Sequence, residues 1–174
     1  MSEYYLNTEN IIEWVETLKA GDRVYLSGTV YTARDAAHKR ICELIKNNSR
    51  LPFELENAVI YYAGPTPSKN GLPVGSIGPT TSSRMDVFTP LFLEKGLKGM
   101  IGKGDRSKDV VDSMKKNGAV YFAAVGGAGA VYAKSVRSCE VAAFEDLGCE
   151  SVKKLNVENF PLTVAIDSNG NSLY

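Results

Sequence analysis

Strand-like and helix-like patterns alternate from Arg23 to Val125 and then lose that regularity, which restricts the chain to an α/β domain with a mixed sheet. Arg23–Tyr31 alternates as a strand does. Asp35–Asn47 follows with an apolar helical stripe of Ala36, Ala37, Ile41, Leu44 and Ile45. Ala58–Tyr62 and Gly99–Ile101 are short apolar strands, with a helix expected over Met85–Glu94. Ser107–Lys116 combines a serine cap with Val110, Val111 and Met114 on one face. Ala119–Val125 reads as a strand, and the Gly126-Gly127-Ala128-Gly129 turn leads into a short helix. Late in the chain, Glu140–Phe144 and Leu162–Ile166 are strands and Asp167-Ser168-Asn169-Gly170 is a hairpin turn. Near the N-terminus, Ile11, Ile12, Val15 and Leu18 place a helix over about residues 10–19.

One stretch fits neither pattern. From Gly64 to Ser83 the chain is rich in Gly, Pro, Ser and Thr, and an ordered loop of that length inside a compact domain is usually functional. With 174 residues the chain is expected to form one domain, residues 1–174, with a real core. Twenty acidic and twenty basic side chains cancel, which argues against general nucleic-acid or anionic-membrane binding. No apolar run approaches a membrane span and the N-terminus has no signal-peptide pattern, so cytoplasm is the expected compartment. Cys42, Cys139 and Cys149 are odd in number and widely spaced, unlike a disulfide framework or a zinc knuckle. Three is the count that a cluster with one open iron would need. Yet Cys42 lies in a helix pattern and Cys139 beside a strand, so all three read as small hydrophobes and no metal ligand is assigned.

Three cationic positions sit in loops that follow or open an element: Arg34 in Thr32-Ala33-Arg34-Asp35, Arg84 in Gly78-Pro79-Thr80-Thr81-Ser82-Ser83-Arg84-Met85-Asp86, and Lys103 in Gly102-Lys103-Gly104. A guanidinium offers a planar fork for one carboxylate, and an ammonium adds a point charge for another. Thr80, four residues before Arg84 in a turn where backbone approaches a ligand closely, could act on the carbon skeleton between them. This combination points to chemistry on a short dicarboxylate.

The run Arg34 to Arg40, the GPTT-x-x-RMD segment Gly78 to Asp86, and Lys103-Gly104 resemble the signature stretches of the class I (iron–sulfur) fumarate hydratase family, in its C-terminal or β-subunit part. The pattern is shared with L-tartrate dehydratase β subunits. It extends through Val125-Gly126-Gly127 to Val157-Glu158-Asn159-Phe160-Pro161, covering most of the chain from about residue 20. GPTT-x-x-RMD is its specific part. The resemblance implies a swivelling β/β/α domain, reversible hydration of fumarate to L-malate, and an active site at the interface with an α subunit. That α subunit would carry the [4Fe-4S] cluster, and none would be bound by this chain. It further implies Thr80 as the catalytic base and Arg34, Arg84 and Lys103 as substrate ligands, with Asp35, His38 and Thr81 in support.

Each of these residues also has a plainer reading. Arg34 could pair with Asp35 or Glu43 at the surface, and Asp35 suits a first helical turn through the dipole. Thr80 could cap a nearby helix, Thr81 could shape the loop, and the lone His38 could be a satisfied structural group. Gly99–Gly104 lacks P-loop spacing and Gly126–Gly129 lacks G-x-G-x-x-G, which disfavours nucleotide binding. A phosphohistidine carrier or a non-catalytic regulatory domain are the readings of other classes.

Overall fold

Strands β1 (Glu3–Asn7), β2 (Arg23–Thr32), β3 (Val59–Tyr61), β4 (Gly99–Gly102), β5 (Val120–Ala123), β6 (Val136–Ala143) and β7 (Val152–Ile166) form one mixed sheet in the computed structural model, which describes residues 1–174. β2, β3, β4 and β5 run parallel in that order, with Ile60 opposite Met100 and Met100 opposite Tyr121. β7 then pairs antiparallel with both β5 and the full length of β2. Those two pairings close β2-β3-β4-β5-β7 into a five-stranded barrel. β1 extends the edge of β2, and β6 lies along the free part of β7.

Strand side chains alternate between two cores, as a period of two requires. Val59, Tyr61, Ile101, Val120 and Phe122 point into the barrel, where they meet Leu26, Val157, Phe160 and Val164. Their neighbours Ile60, Tyr62, Met100 and Tyr121 face outward onto the helices α2 (Asp35–Lys46), α3 (Thr89–Glu94) and α4 (Lys108–Asn117). The two walls of the barrel and this helical layer give the β/β/α arrangement.

The helices form where the pattern requires them, with instructive exceptions. In α4 the Ser107 hydroxyl accepts the Val110 N–H, and Gly118 at φ 60° ends the helix in the left-handed region. The N-terminal helix is short: a 3₁₀ turn at Thr8–Asn10 precedes α1 (Ile11–Trp14). Thr17 Oγ1 then donates to the Trp14 carbonyl, and Asp22 accepts the Lys19 N–H, folding the chain back toward β2. Ile11, Val15 and Leu18 are buried as expected, while Ile12 is exposed. The helix expected over Met85–Glu94 divides into a 3₁₀ turn at Ser82–Met85 and α3, because Pro90 can start a helix but not continue one. A short helix α5 (Gly129–Ala133) follows the glycine turn. Asp167 Oδ1 accepts N–H groups from Asn169 and Asn171, closing the expected turn after β7. No helix is long and apolar enough to cross a membrane.

His38, on α2, is fully buried, with its ring stacked 4.8 Å from Phe92 and edge-on to Tyr62. Nδ1 lies 2.9 Å from the Arg34 carbonyl, a hydrogen bond that requires Nδ1 to carry the proton and leaves Nε2 unprotonated and without a partner. Burial lowers its pKa from 6.5 to about 4, so the ring is neutral at pH 7. The unfolded chain binds this proton more readily, so stability falls as pH drops from 6.5 toward about 4. The loss expected between pH 7 and pH 4 is about 3 kcal/mol from this group. Urea unfolding at both pH values should show that loss in the parent and a smaller one, by about that amount, in His38→Phe. Equal pH dependence in the two would rule out the depressed pKa.

Candidate functional site

The C-terminal ends of β2, β3, β4 and β5 lie side by side, the edge at which ligands bind in open parallel sheets. Each strand leads into a candidate segment. β2 leads to Arg34, β4 to Lys103, and β5 to Val125-Gly126-Gly127. β3 leads through Tyr62 into the long loop, which returns to this edge at Thr80. There the Thr80 N–H donates to the Tyr62 carbonyl at 2.7 Å, and the Thr80 carbonyl accepts the Lys103 N–H at 3.3 Å. The Ser82 N–H donates to the Lys103 carbonyl at 2.9 Å, so the loop end is wedged between the extensions of β3 and β4.

Gly102 makes that wedge sterically feasible, since a Cβ there would stand 2.0 Å from Ser82 Oγ and 2.8 Å from Tyr62. Ser82 Oγ and Tyr121 Oη share a hydrogen bond of 2.8 Å, and the Tyr121 hydroxyl also lies 2.8 Å from the Gly104 carbonyl. The Thr80 backbone is therefore fixed on both sides. Its half-buried hydroxyl makes no hydrogen bond to the protein and caps no helix. The residue before the 3₁₀ turn is the exposed Thr81, whose side chain also makes no capping bond.

The two arginines share one pattern. Arg84 Nε donates to Asp35 Oδ1 at 2.9 Å. Arg34 Nε lies 4.0 Å from Asp35 Oδ2 and 3.2 Å from Glu150 Oε1, the latter an ion pair without hydrogen-bond alignment. Asp35 thus stands between both guanidinium groups. Neither guanidinium uses its terminal Nη atoms in a hydrogen bond to the protein, which leaves the forked ends of both available. Arg34 is the residue preceding α2, and its carbonyl accepts both the N–H and the Nδ1–H of His38. His38 therefore supports the site through the Arg34 backbone, and its buried ring is inaccessible to a phosphoryl donor. The exposed Lys103 forms no ion pair, and its aliphatic chain runs beside Gly126, where an added Cβ would lie 3.6 Å from Cδ.

Two residues outside the sequence-derived set shape this edge. The Arg106 guanidinium is wholly buried behind the loop: Nε donates to Asp86 Oδ1 at 2.7 Å and Nη2 to Thr89 Oγ1 at 2.9 Å. It also faces the rings of Tyr62 and Tyr121 at 5.2 Å and 5.0 Å. Asp86 also accepts the Ser107 N–H, so the acidic end of the RMD motif holds structure. Glu150 is the other, and no local motif around Gly148-Cys149-Glu150 signals it.

The chain's thiols do not fit an iron–sulfur cluster. Cys42 is buried on α2, Cys139 is half-buried on β6 and Cys149 is exposed in a different segment. No three His, Cys, Asp or Glu side chains are grouped to hold a metal ion.

Comparison with known proteins places the chain in a family. The family model described as Fumarase C-terminus matches residues 1–174. The putative L(+)-tartrate dehydratase subunit beta of Methanocaldococcus jannaschii is 45% identical over 166 residues, 92% of this chain and 85% of that protein. Fumarate hydratase 2 of Leishmania major is 43% identical over 88% of this chain, and the anaerobic class I fumarate hydratase of Escherichia coli is 37% identical over 95% of it. The aligned regions amount to 28% and 31% of those two enzymes. A match over the whole chain, with relatives of this similarity, establishes that the chain belongs to the fumarase C-terminal family.

Proposed function

We propose that this chain is the β subunit, or the equivalent part, of a hydro-lyase that reversibly adds water to fumarate to give L-malate. One observation carries the reading. Arg34 and Arg84 are both tethered by the Nε edge to carboxylates, with their forks free, at a strand edge that also holds an uncommitted Thr80 hydroxyl and an unpaired Lys103. A dicarboxylate complements such a site. Each guanidinium takes a carboxylate by two parallel hydrogen bonds, and the Lys103 ammonium adds a point charge without fixed direction.

In the dehydration direction, Thr80 as its alkoxide takes a proton from the carbon beside one carboxylate and becomes the neutral hydroxyl, which returns that proton to solvent once the product has left. The electron pair of that C–H bond moves toward the carboxylate, producing an aci-carboxylate-like state that the three cations stabilise as its charge develops. The same positive field lowers the cost of deprotonating the threonine hydroxyl, which is otherwise a poor base. Holding both carboxylates presets the carbon against Thr80, an orientation effect worth several kcal/mol. Asp35 orients the arginines, His38 fixes the Arg34 backbone and Thr81 shapes the loop end.

The cluster expected for a class I enzyme does not fit this chain's own side chains, so in this reading a cluster-carrying α subunit supplies it. That subunit also brings the acid for the departing hydroxyl, and the active site lies between the two polypeptides. L-Tartrate is the second substrate reading, favoured by the subunit-length relative that shares 45% identity. Turnover on fumarate and on tartrate, measured with the partner present, chooses between them.

The chain alone should fold but remain colourless and inactive after anaerobic iron–sulfur reconstitution. A stable cluster with hydratase activity on the isolated chain would overturn the two-subunit reading. Arg84→Lys keeps the charge but loses the fork, so most activity should disappear, with KM raised and kcat lowered together. Parent-like kinetics would remove Arg84 from the site. Thr80→Val should leave substrate binding in place while kcat falls on the order of 10² or more. A structural threonine would instead lose roughly 1 kcal/mol of stability with activity per folded molecule intact. Thermal midpoint and kcat on one preparation therefore decide the role of Thr80.

A further inference from the structure

We propose that Glu150 is a positioning residue for Arg34, holding the guanidinium by its Nε edge so that the fork faces the substrate carboxylate. The inference rests on the dicarboxylate clamp proposed above and assigns that site a residue from a distant segment. Glu150 Oε1 approaches Arg34 Nε to 3.2 Å, while Asp35 Oδ2 stands off at 4.0 Å. The Nε atom is buried although the side chain as a whole is 26% exposed. This edge of Arg34 is therefore shielded and its counter-charge comes from Glu150.

An exposed ion pair would ordinarily carry little weight. Here the segment that delivers the carboxylate is itself held at several points. Phe144 (φ 56°) turns the chain into a 3₁₀ stretch, Glu145–Glu150, and Gly148 (φ 61°) kinks that stretch from within. Arg40 on α2 holds it by two hydrogen bonds to Asp146, at 2.8 Å and 2.6 Å, and stacks over Phe144 at 5.2 Å. On the other side Lys153 Nζ donates to the carbonyls of Gly148 and Cys149 and to Ser151 Oγ. The Cys149 carbonyl then packs against Gly64, where a Cβ would stand 3.1 Å from it and 3.5 Å from Arg34 Cδ. Glu150 is thus flanked by anchored residues and placed against the same Gly64 corner that the Arg34 side chain crosses.

The test uses the full chain assembled with its cluster-carrying partner, with Glu150→Gln, Glu150→Asp, Lys153→Met and Arg34→Ala assayed on fumarate and L-tartrate. Glu150→Gln should raise KM about tenfold, the loss of one charge-assisted contact, with kcat within about threefold of the parent. Glu150→Asp should recover part of that loss, and Lys153→Met, which frees the segment without touching Arg34, should raise KM in the same direction. The NMR resonance of Arg34 Nε–Hε gives a readout independent of turnover: it should move in Glu150→Gln and return toward the parent position in Glu150→Asp. An unmoved resonance, or an unchanged KM in Glu150→Gln while Arg34→Ala is strongly impaired, would remove Glu150 and leave the clamp intact. Parent-like kinetics in Arg34→Ala would instead remove the clamp. A lowered KM in Glu150→Gln would show the carboxylate competing with substrate, and would also overturn the positioning role.

Discussion

The buried Arg106–Asp86 pair is the constraint on which the candidate site depends. A guanidinium with no exposure requires compensation for nearly all its donors, and it receives this from Asp86, Thr89, Tyr62 and the two tyrosine faces. Those partners come from both sides of the loop end: Asp86 and Thr89 follow Thr80, whereas Tyr62 precedes the loop. Satisfying one buried charge therefore binds the exit of the long loop to its entrance. Removing either member of such a pair leaves an uncompensated buried charge, which typically costs 3–5 kcal/mol. The backbone wedge at Thr80–Ser82 is thus supported from behind by charge and in front by the pairing with Lys103.

The barrel explains why the wedge lies where it does. The parallel registers of β2, β3, β4 and β5 set their C-terminal ends in one row, and β7 closes the barrel with a stagger, its Thr163 pairing with both Ala123 at the end of β5 and Arg23 at the start of β2. Arg34 and the Gly126 turn consequently flank the Thr80–Lys103 pairing. Charge balance there is uneven by design of placement: Arg34, Arg84 and Lys103 meet only Asp35 and Glu150. Both acids engage Nε edges and neither occupies a fork, so the counter-charges orient the cations without filling the positions a ligand would take.

Much of the fold was legible in the sequence, because the parallel strands and α2 and α4 carry unmixed periodicities. What was missed has physical causes. β7 runs from Val152, ten residues before the strand expected at Leu162, and its buried positions shift phase from Leu155 and Val157 to Phe160 and Leu162. The shift falls at the irregularity opposite Leu26–Gly28, where Asn159 adopts φ 51°, and an alternation template fails across such a bulge. β1 and the first half of β6 are edge segments with largely exposed side chains, so hydrophobic alternation hardly marks them. At the candidate site, the local motifs pointed to Thr80, Arg84, Arg34 and Lys103, all of which lie at the strand-end edge. Arg106 and Glu150 were silent because the oppositely charged groups they face, Asp86 and Arg34, lie 20 or more residues away, and only the fold joins them.

His38 shows how a sequence signal can be real yet indirect. A lone histidine four residues after Arg34 invites a proton-transfer role, but the ring is buried against Phe92 and held neutral by desolvation. Its neutrality has a use for the neighbouring arginine. A charged imidazolium beneath the N-terminus of α2 would add to the positive end of the helix dipole and to Arg106. The neutral ring donates one hydrogen bond to the Arg34 carbonyl, reinforcing the backbone N–H on the same acceptor. Arg34 is thereby fixed at three levels: its carbonyl by His38, its aliphatic chain by the Gly64 corner, and its Nε edge by Glu150. A side chain fixed in this way has little rotamer entropy left to lose on meeting a ligand, which is the physical meaning of preorganisation at this position.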